Sequence, residues 1–281
     1  MHVLTIILVS LLSISTHASV SLTTQIHDID YGSQSGDETL VLLKNGLVAK
    51  IKPTGQKNLS LDLLDYKDKW FKFKIDKNRY IQGFTETISP SSAIDENLGL
   101  KSFQNYVPTT VASMEVAKKY FNESPRNSKE SQCFNRAMVW SYEWWKNHST
   151  KSMKLFIFFS RKYIRAYNFE WWFHIAPYLH IMDNGKVVER AMDVKYSSRP
   201  LSFRDWSNIF MKNDAECKFV TKYSDYADYP FTGECYFMRA NMYTYQPADL
   251  EMNEAWNYTK TNWVGKEVRD AYLEAFDRTL P

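Results

Sequence analysis

EWWFHIAPYLHIMDNGKVVERAMDV, residues 170–194, is the stretch that decides how this chain folds. Asn184-Gly185 in its middle is the pair favoured in two-residue hairpin turns, whose central residues need positive φ. Strand-like runs flank it, Glu170 to Met182 before and Val187 to Val194 after. Folding there pairs Asp183 with Lys186, and successive outward steps set Ala176 opposite Asp193. His174 then lies on the same face as Asp193, a diagonal neighbour at about 7–8 Å in the backbone, close enough for imidazole to reach carboxylate. A slip of one residue would put the two on opposite faces. Pro177 interrupts the ladder, so an edge position or a bulge is expected there. His180 shares that face, opposite Glu189 and nearer the turn, and is the competing histidine.

Outward from this hairpin, Leu155–Phe159 and Tyr163–Asn168 read as two further strands. Before them, Thr110 to Phe121 carries Val111, Met114, Ala117 and Phe121 at helical spacing and is ended by Pro125. A second helix, about Gln132 to Asn147, sets Cys133, Ala137, Trp140 and Trp144 on one side, a stripe that reads as core. Helices followed by an antiparallel sheet imply an α+β domain. Nearer the start, residues 19–36 read as a loose polar arm. Leu40 to Ile51 reads as a hairpin around Asn45-Gly46, and Trp70 to Ile75 as a half-buried strand of alternating Phe and Lys. Thr85 to Asn97 reads as a linker. A small strand-rich N-terminal segment, residues 19–100, therefore precedes a larger unit, residues 101–281. The tail from Glu251 has helical character.

The 281 residues are 44% apolar and 16% aromatic, enough for a real core, and the net charge of +3 is too weak to argue for nucleic acid or a membrane surface as partner. Lys151, Lys154, Arg161, Lys162 and Arg165 form the densest basic run, expected as the solvated faces of two strands. Val3 to Ile14 is apolar but too short to span a bilayer. Thr16-His17-Ala18 follows it with small residues at a cleavage position, so residues 1–18 read as a signal peptide and the mature protein as secreted or periplasmic. No HExxH, CxxC, phosphate loop or GxGxxG occurs, so neither a cofactor nor a metal is expected. Asp225 and Asp228 among their tyrosines read as a solvated loop, and His148 as a residue of a helix C-terminus.

Three cysteines in an exported chain raise the question of which one is unpaired. Cys217 and Cys235 sit in a loop-rich stretch at a spacing that suits a local disulfide. That leaves Cys133. A thiol attacks as thiolate and needs something to lower its pKa. With Ser131 as N-cap, Cys133 would occupy the first helical turn, where free N–H groups and the dipole favour an anion. The same N–H groups can hold an oxyanion. Asp193 would then orient His174, and His174 would take the proton of Cys133 and return it to a departing amine. Cys133, His174 and Asp193 are the expected catalytic residues.

At these residues the sequence resembles the secreted bacterial protein-glutaminases, over roughly Val107 to Tyr245. Cys133-Phe134-Asn135-Arg136-Ala137 resembles the nucleophile motif of that family, a Cys, two variable residues and Arg-Ala. Trp171-Trp172-Phe173-His174-Ile175-Ala176 resembles its histidine strand. Ala191-Met192-Asp193, followed by Ser197, Ser198, Pro200 and Asp205-Trp206, resembles its acid segment. Met138 stands where the family usually has His, Val194 where it has Pro, and the family is richer in cysteine. The resemblance implies a papain/transglutaminase-like core with the nucleophile helix packed on an antiparallel sheet. It also implies hydrolysis of glutamine side-chain amides in proteins or peptides, through a thioester at Cys133, and a bacterial origin. An N-terminal pro-region covering the site is a further implication; residues 19 to about 100 are the expected pro-region, with a permanent accessory domain as the alternative.

Three other functions remain open on the sequence. A transglutaminase would form the same thioester and accept a lysine amine in place of water. A papain-like cysteine protease would attack the main-chain amide. An exported binding protein would use the Trp144-Trp145 and Trp171-Trp172 pairs as an aromatic surface, but would leave Cys133 without a purpose.

Overall fold

The computed structural model describes residues 19–32, 37–53, 66–88, 106–126, 131–228, 233–256, 259–277 and 279. The expected signal peptide and residues 89–97 of the expected linker lie outside them. Two compact units form, Met1–Val41 with Ala49–Pro90, and Leu42–Val48 with Ser91–Pro281.

The first unit is built on a five-stranded sheet, in the order β3-β2-β1-β4-β5. Its strands are β1 (Val20–Asp30), β2 (Thr39–Leu43), β3 (Val48–Ile51), β4 (Trp70–Ile75) and β5 (Ile81–Thr87). The stretch read as a loose arm is thus mostly the middle strand. Val20, Leu22, Thr24 and Ile26 alternate along it, and antiparallel pairing with β4 sets Leu22 opposite Phe73. Two strand neighbours outweigh its polar composition, because each satisfies half of its backbone groups. In β4, Phe71, Phe73 and Ile75 are buried while Lys72 and Lys74 are exposed, the expected alternation. Thr85–Thr87, assigned to the linker from sequence, complete β5 opposite Trp70–Lys72.

In the larger unit, β6 (Thr110–Val111) leads into α1 (Met114–Glu123), whose N-cap Ser113 accepts from Val116 N at 3.3 Å. Then come α2 (Cys133–His148), β7 (Met153–Phe159), α3 (Arg161–Tyr167), β8 (Phe173–Asp183) and β9 (Lys186–Ala191). After them run α4 (Phe203–Ser207), β10 (Lys218–Phe219), α5 (Tyr223–Asp228), β11 (Cys235–Asn241), α6 (Pro247–Trp256) and α7 (Gly265–Phe276). The sheet runs β10-β11-β7-β8-β6, with β9 also on β8. Cys217 and Cys235 form a disulfide at the β11 end.

Tyr163–Asn168, expected as a strand, lies mostly in α3. Ser160 caps that helix by accepting from Tyr163 N, and Asn168 ends it in the left-handed region. Local capping overrides the β preference of its Tyr and Ile residues. The basic run differs from expectation too. Arg161, Lys162 and Arg165 ride on α3, and Lys154 is wholly buried in β7, its ammonium donating to the carbonyl of Thr244. Burial pulls the Lys154 pKa down to about 7, against the pull of Asp249 and Glu267.

The aromatic stripe of α2 is core, as its spacing predicts. Trp140 and Trp144 pack with Val111, Ala117 and Phe121 against Leu179, Ile181, Met192 and Val194. Their indoles are satisfied, Trp140 by the carbonyl of Pro125 at 2.9 Å and Trp144 by Ser124 Oγ at 3.0 Å. This layer of α1 and α2 on β8 holds the first turn of α2 beside the start of β8.

Candidate active site

Asp183 pairs with Lys186 and the ladder continues in the expected register to Tyr178 opposite Ala191. One more backbone bond follows, Met192 N donating to the carbonyl of Pro177 at 2.9 Å, and the pairing ends there because Pro177 has no N–H to return the bond. Past Met192 the chain turns, and Asp193 is fixed by its own bonds. Its backbone carbonyl accepts from Ser197 N at 3.0 Å and Ser197 Oγ at 2.8 Å. His174 Nε2 lies 2.7 Å from Asp193 Oδ2, with both residues buried.

Cys133 opens α2 and is buried. Gln132 is the N-cap, with extended backbone and no side-chain capping bond, so the first-turn N–H groups are not taken by the capping side chain. Ser131, expected as the cap, instead accepts Arg136 Nη1 on both its carbonyl and its hydroxyl. The thiol shares a hydrogen bond with His174. Since Nε2 faces Asp193, Nδ1 is the ring nitrogen left for sulfur.

Burial alone would push the Cys133 thiol up. The hydrogen bond and charge of His174, with Arg136 behind them, outweigh it and hold the thiol below its ordinary value. Burial would likewise pull His174 down, but Asp193 and Cys133 push it up to about 9. Asp193 is held below the usual carboxylate range, His174, Trp206 and Arg136 overcoming its burial. All three shifts run toward the charged forms, thiolate, imidazolium and carboxylate, and against what burial alone would do.

Four aromatic rings enclose the imidazole. Trp171 stacks on it at 5.8 Å and 22°, Tyr196 meets it edge-on at 5.2 Å, and Phe210 and Trp206 stand at 4.7 and 5.7 Å. Trp206 Nε1 also donates to Asp193 Oδ2 at 3.0 Å. Such walls exclude water and strengthen the charges inside. The roles of Trp206 and Arg136 were not read from the sequence, although both lie in the quoted motifs. Nothing in a linear pattern says where an indole N–H or a guanidinium will point. The competing His180 faces Glu189 at 3.5 Å, and His148 stacks on Tyr120 and meets Glu123. Among the described residues no group of three His, Cys, Asp or Glu could hold a metal ion, and no helix is long and apolar enough to cross a membrane.

The turn Leu42–Val48 belongs to the larger unit and meets the start of β8. Leu47 bridges Trp171, Val48 N donates to the carbonyl of Glu170 at 2.8 Å, and Trp172 Nε1 donates to that of Leu43 at 2.7 Å. Gly46, at φ +96°, allows this approach: a Cβ there would stand 3.3 Å from the Phe173 ring.

Residues 112–210 match the family described as glutaminase. No curated protein matches the chain. Among solved structures the chain is similar to pro-protein-glutaminase, with a TM-score of 0.54 at 14% identity, over 90% of this chain and 92% of that one. It is similar too to a mutant of pro-protein-glutaminase, with a TM-score of 0.55 at 15% identity, over 92% and 95%. At such identities the likeness establishes the fold, an α+β transglutaminase-like one as expected. The resemblance to protein-glutaminases read from the three motifs is borne out, since the matched segment contains Cys133, His174 and Asp193.

Proposed function

We propose, from a central segment that matches the glutaminase family, that this protein hydrolyses the side-chain amide of glutamine residues in proteins or peptides. The observation carrying this reading is the hydrogen-bonded series Cys133, His174, Asp193 inside residues 112–210. Cys133 is the nucleophile, His174 the acid and base, and Asp193 the group that orients and charges the ring.

The thiolate attacks the amide carbon, and the carbonyl electrons move to oxygen, where first-turn N–H groups of α2 hold the oxyanion. The imidazolium of His174 gives its proton to the amide nitrogen. The carbon–nitrogen bond breaks, ammonia leaves and a thioester remains. His174, now neutral, removes a proton from water, whose oxygen attacks the thioester. Glutamate departs, and thiolate and imidazolium are restored.

Residues 1–18 are proposed as a signal peptide, the mature enzyme as secreted or periplasmic, and residues 19 to about 100 as a pro-segment. Support for the last comes from Leu42–Val48, residues of that stretch that cluster with the larger unit and pair beside Trp171.

The test is to incubate the protein, before and after limited proteolysis, with a glutamine-rich protein. Ammonia release matched by the small mass gain of amide becoming acid, and absent in Cys133→Ala, is the expected result. Cross-linked product would identify a transglutaminase and cut substrate a protease. Ammonia release undiminished in Cys133→Ala would overturn the mechanism.

A further inference from the structure

Arg136 lies one helical turn after Cys133, so the two side chains are neighbours on the surface of α2. It is 3% exposed, an uncommon setting for a guanidinium. Its described partners are the two oxygens of Ser131 and the ring face of Tyr196, 5.8 Å from the guanidinium carbon. All of these are neutral. Its Nε has no hydrogen-bond partner among the described residues. Burying a cation against neutral groups is expensive unless an anion shares the space.

The charged groups it bears on belong to the site, beginning with Cys133 one turn earlier on the same helix. Arg136 acts on both Cys133 and Asp193, favouring the charged form of each. Tyr196 completes the link, because the ring under the guanidinium also presents its edge to His174 at 5.2 Å.

We propose that Arg136 is a positioning residue that serves as counter-ion to the thiolate form of this site and pins the chain entering α2. Thiolate and carboxylate are negative, imidazolium and guanidinium positive, so the four together are neutral. Neutrality persists through the proposed cycle. When the thiolate becomes a thioester, His174 has given up its proton, and carboxylate and guanidinium still balance. A buried site that never changes net charge avoids repeated desolvation cost. Through Ser131 the same side chain orients the backbone just ahead of Cys133, where the oxyanion would bind. The charged groups acting on the thiol are His174 from β8 and Arg136 from its own helix, with Asp193 behind His174.

This inference rests on the proposed cysteine chemistry, and its test does not need turnover. Alkylation of Cys133 by iodoacetamide in the full chain is followed by peptide mass against pH, for wild type, Arg136→Gln and Arg136→Lys. Gln keeps hydrogen bonding without charge; Lys keeps charge without the fork. The Gln variant should raise the alkylation midpoint by about one pH unit or more, and Lys should leave it close to wild type. An unshifted Gln curve, or a Lys curve shifted as far as Gln, would overturn the proposal. Should circular dichroism show Arg136→Gln to be unfolded, the Lys variant alone decides: an unmoved midpoint supports the counter-ion, a full-unit rise refutes it. A wild-type midpoint equal to that of a free thiol would instead sink the ion-pair reading of the site.

Discussion

Trp206 Nε1 lies 3.0 Å from Asp193 Oδ2, the oxygen that His174 also contacts. The other carboxylate oxygen receives Lys195 N at 3.3 Å, so the acid is tied on both sides. This arrangement leaves Asp193 ionised though buried, and fixes which of its oxygens faces the histidine.

Trp206→Phe keeps an aromatic ring, removes the donor and leaves a small void where the second ring stood. We expect about 1–2 kcal/mol of lost stability in urea denaturation, the usual cost of leaving a buried acceptor less satisfied. Asp193 should also become easier to protonate, moving the acidic limb of the stability profile to higher pH. Loss of stability with an unmoved limb would show that Trp206 only fills space.

The pH dependence follows from the pair of shifts at Cys133 and His174. Activity should rise through the lowered thiol value and fall as His174 loses its proton at about 9. A profile still climbing beyond that would contradict the assignment of His174 as the proton donor to ammonia.

Stability behaves differently, because the two groups oppose each other. The His174 contribution is complete below its ordinary 6.5 and is lost as pH rises through about 9. That of Cys133 is complete above its ordinary 9.0 and is lost as pH falls through its lowered folded value. Between the lowered thiol value and about 9 the gain from Cys133 opposes the loss from His174, so wild-type stability from this pair should be flatter there than the histidine alone would make it. In Cys133→Ala the opposing contribution of the thiol is gone and Asp193 alone acts against burial on His174, so the stability profile should differ in shape from wild type across this range. Urea midpoints at four pH values check this; parallel curves for the two proteins would refute it.

Iodoacetamide should modify Cys133 faster once residues 19 to about 100 have been removed by limited proteolysis. Equal rates before and after removal would count against the pro-segment and leave an accessory domain.

Much of this architecture was legible along the chain. Asn184-Gly185 sets a hairpin whose register holds as read from Asp183–Lys186 to Tyr178–Ala191, short of His174 and Asp193 themselves. The Trp140 and Trp144 stripe declares a buried helix by its period alone. The unpaired status of Cys133 came from counting, and the disulfide of Cys217 and Cys235 from proximity. Elements whose character depends on neighbours were misread. β1 looks like a polar arm until β2 and β4 flank it, and α3 looks like a strand until Ser160 and Asn168 cap it.

Local patterns thus determined which residues face one another across a turn and which bear reactive chemistry, since backbone geometry and residue type are short-range properties. Tertiary structure alone decided the charge state proposed for the site. Burial, which a linear pattern does not measure, would neutralise Cys133, His174 and Asp193 one at a time. Only their mutual contact, with Trp206 and Arg136 brought in from other parts of the chain or turned inward on α2, makes the charged arrangement the favoured one.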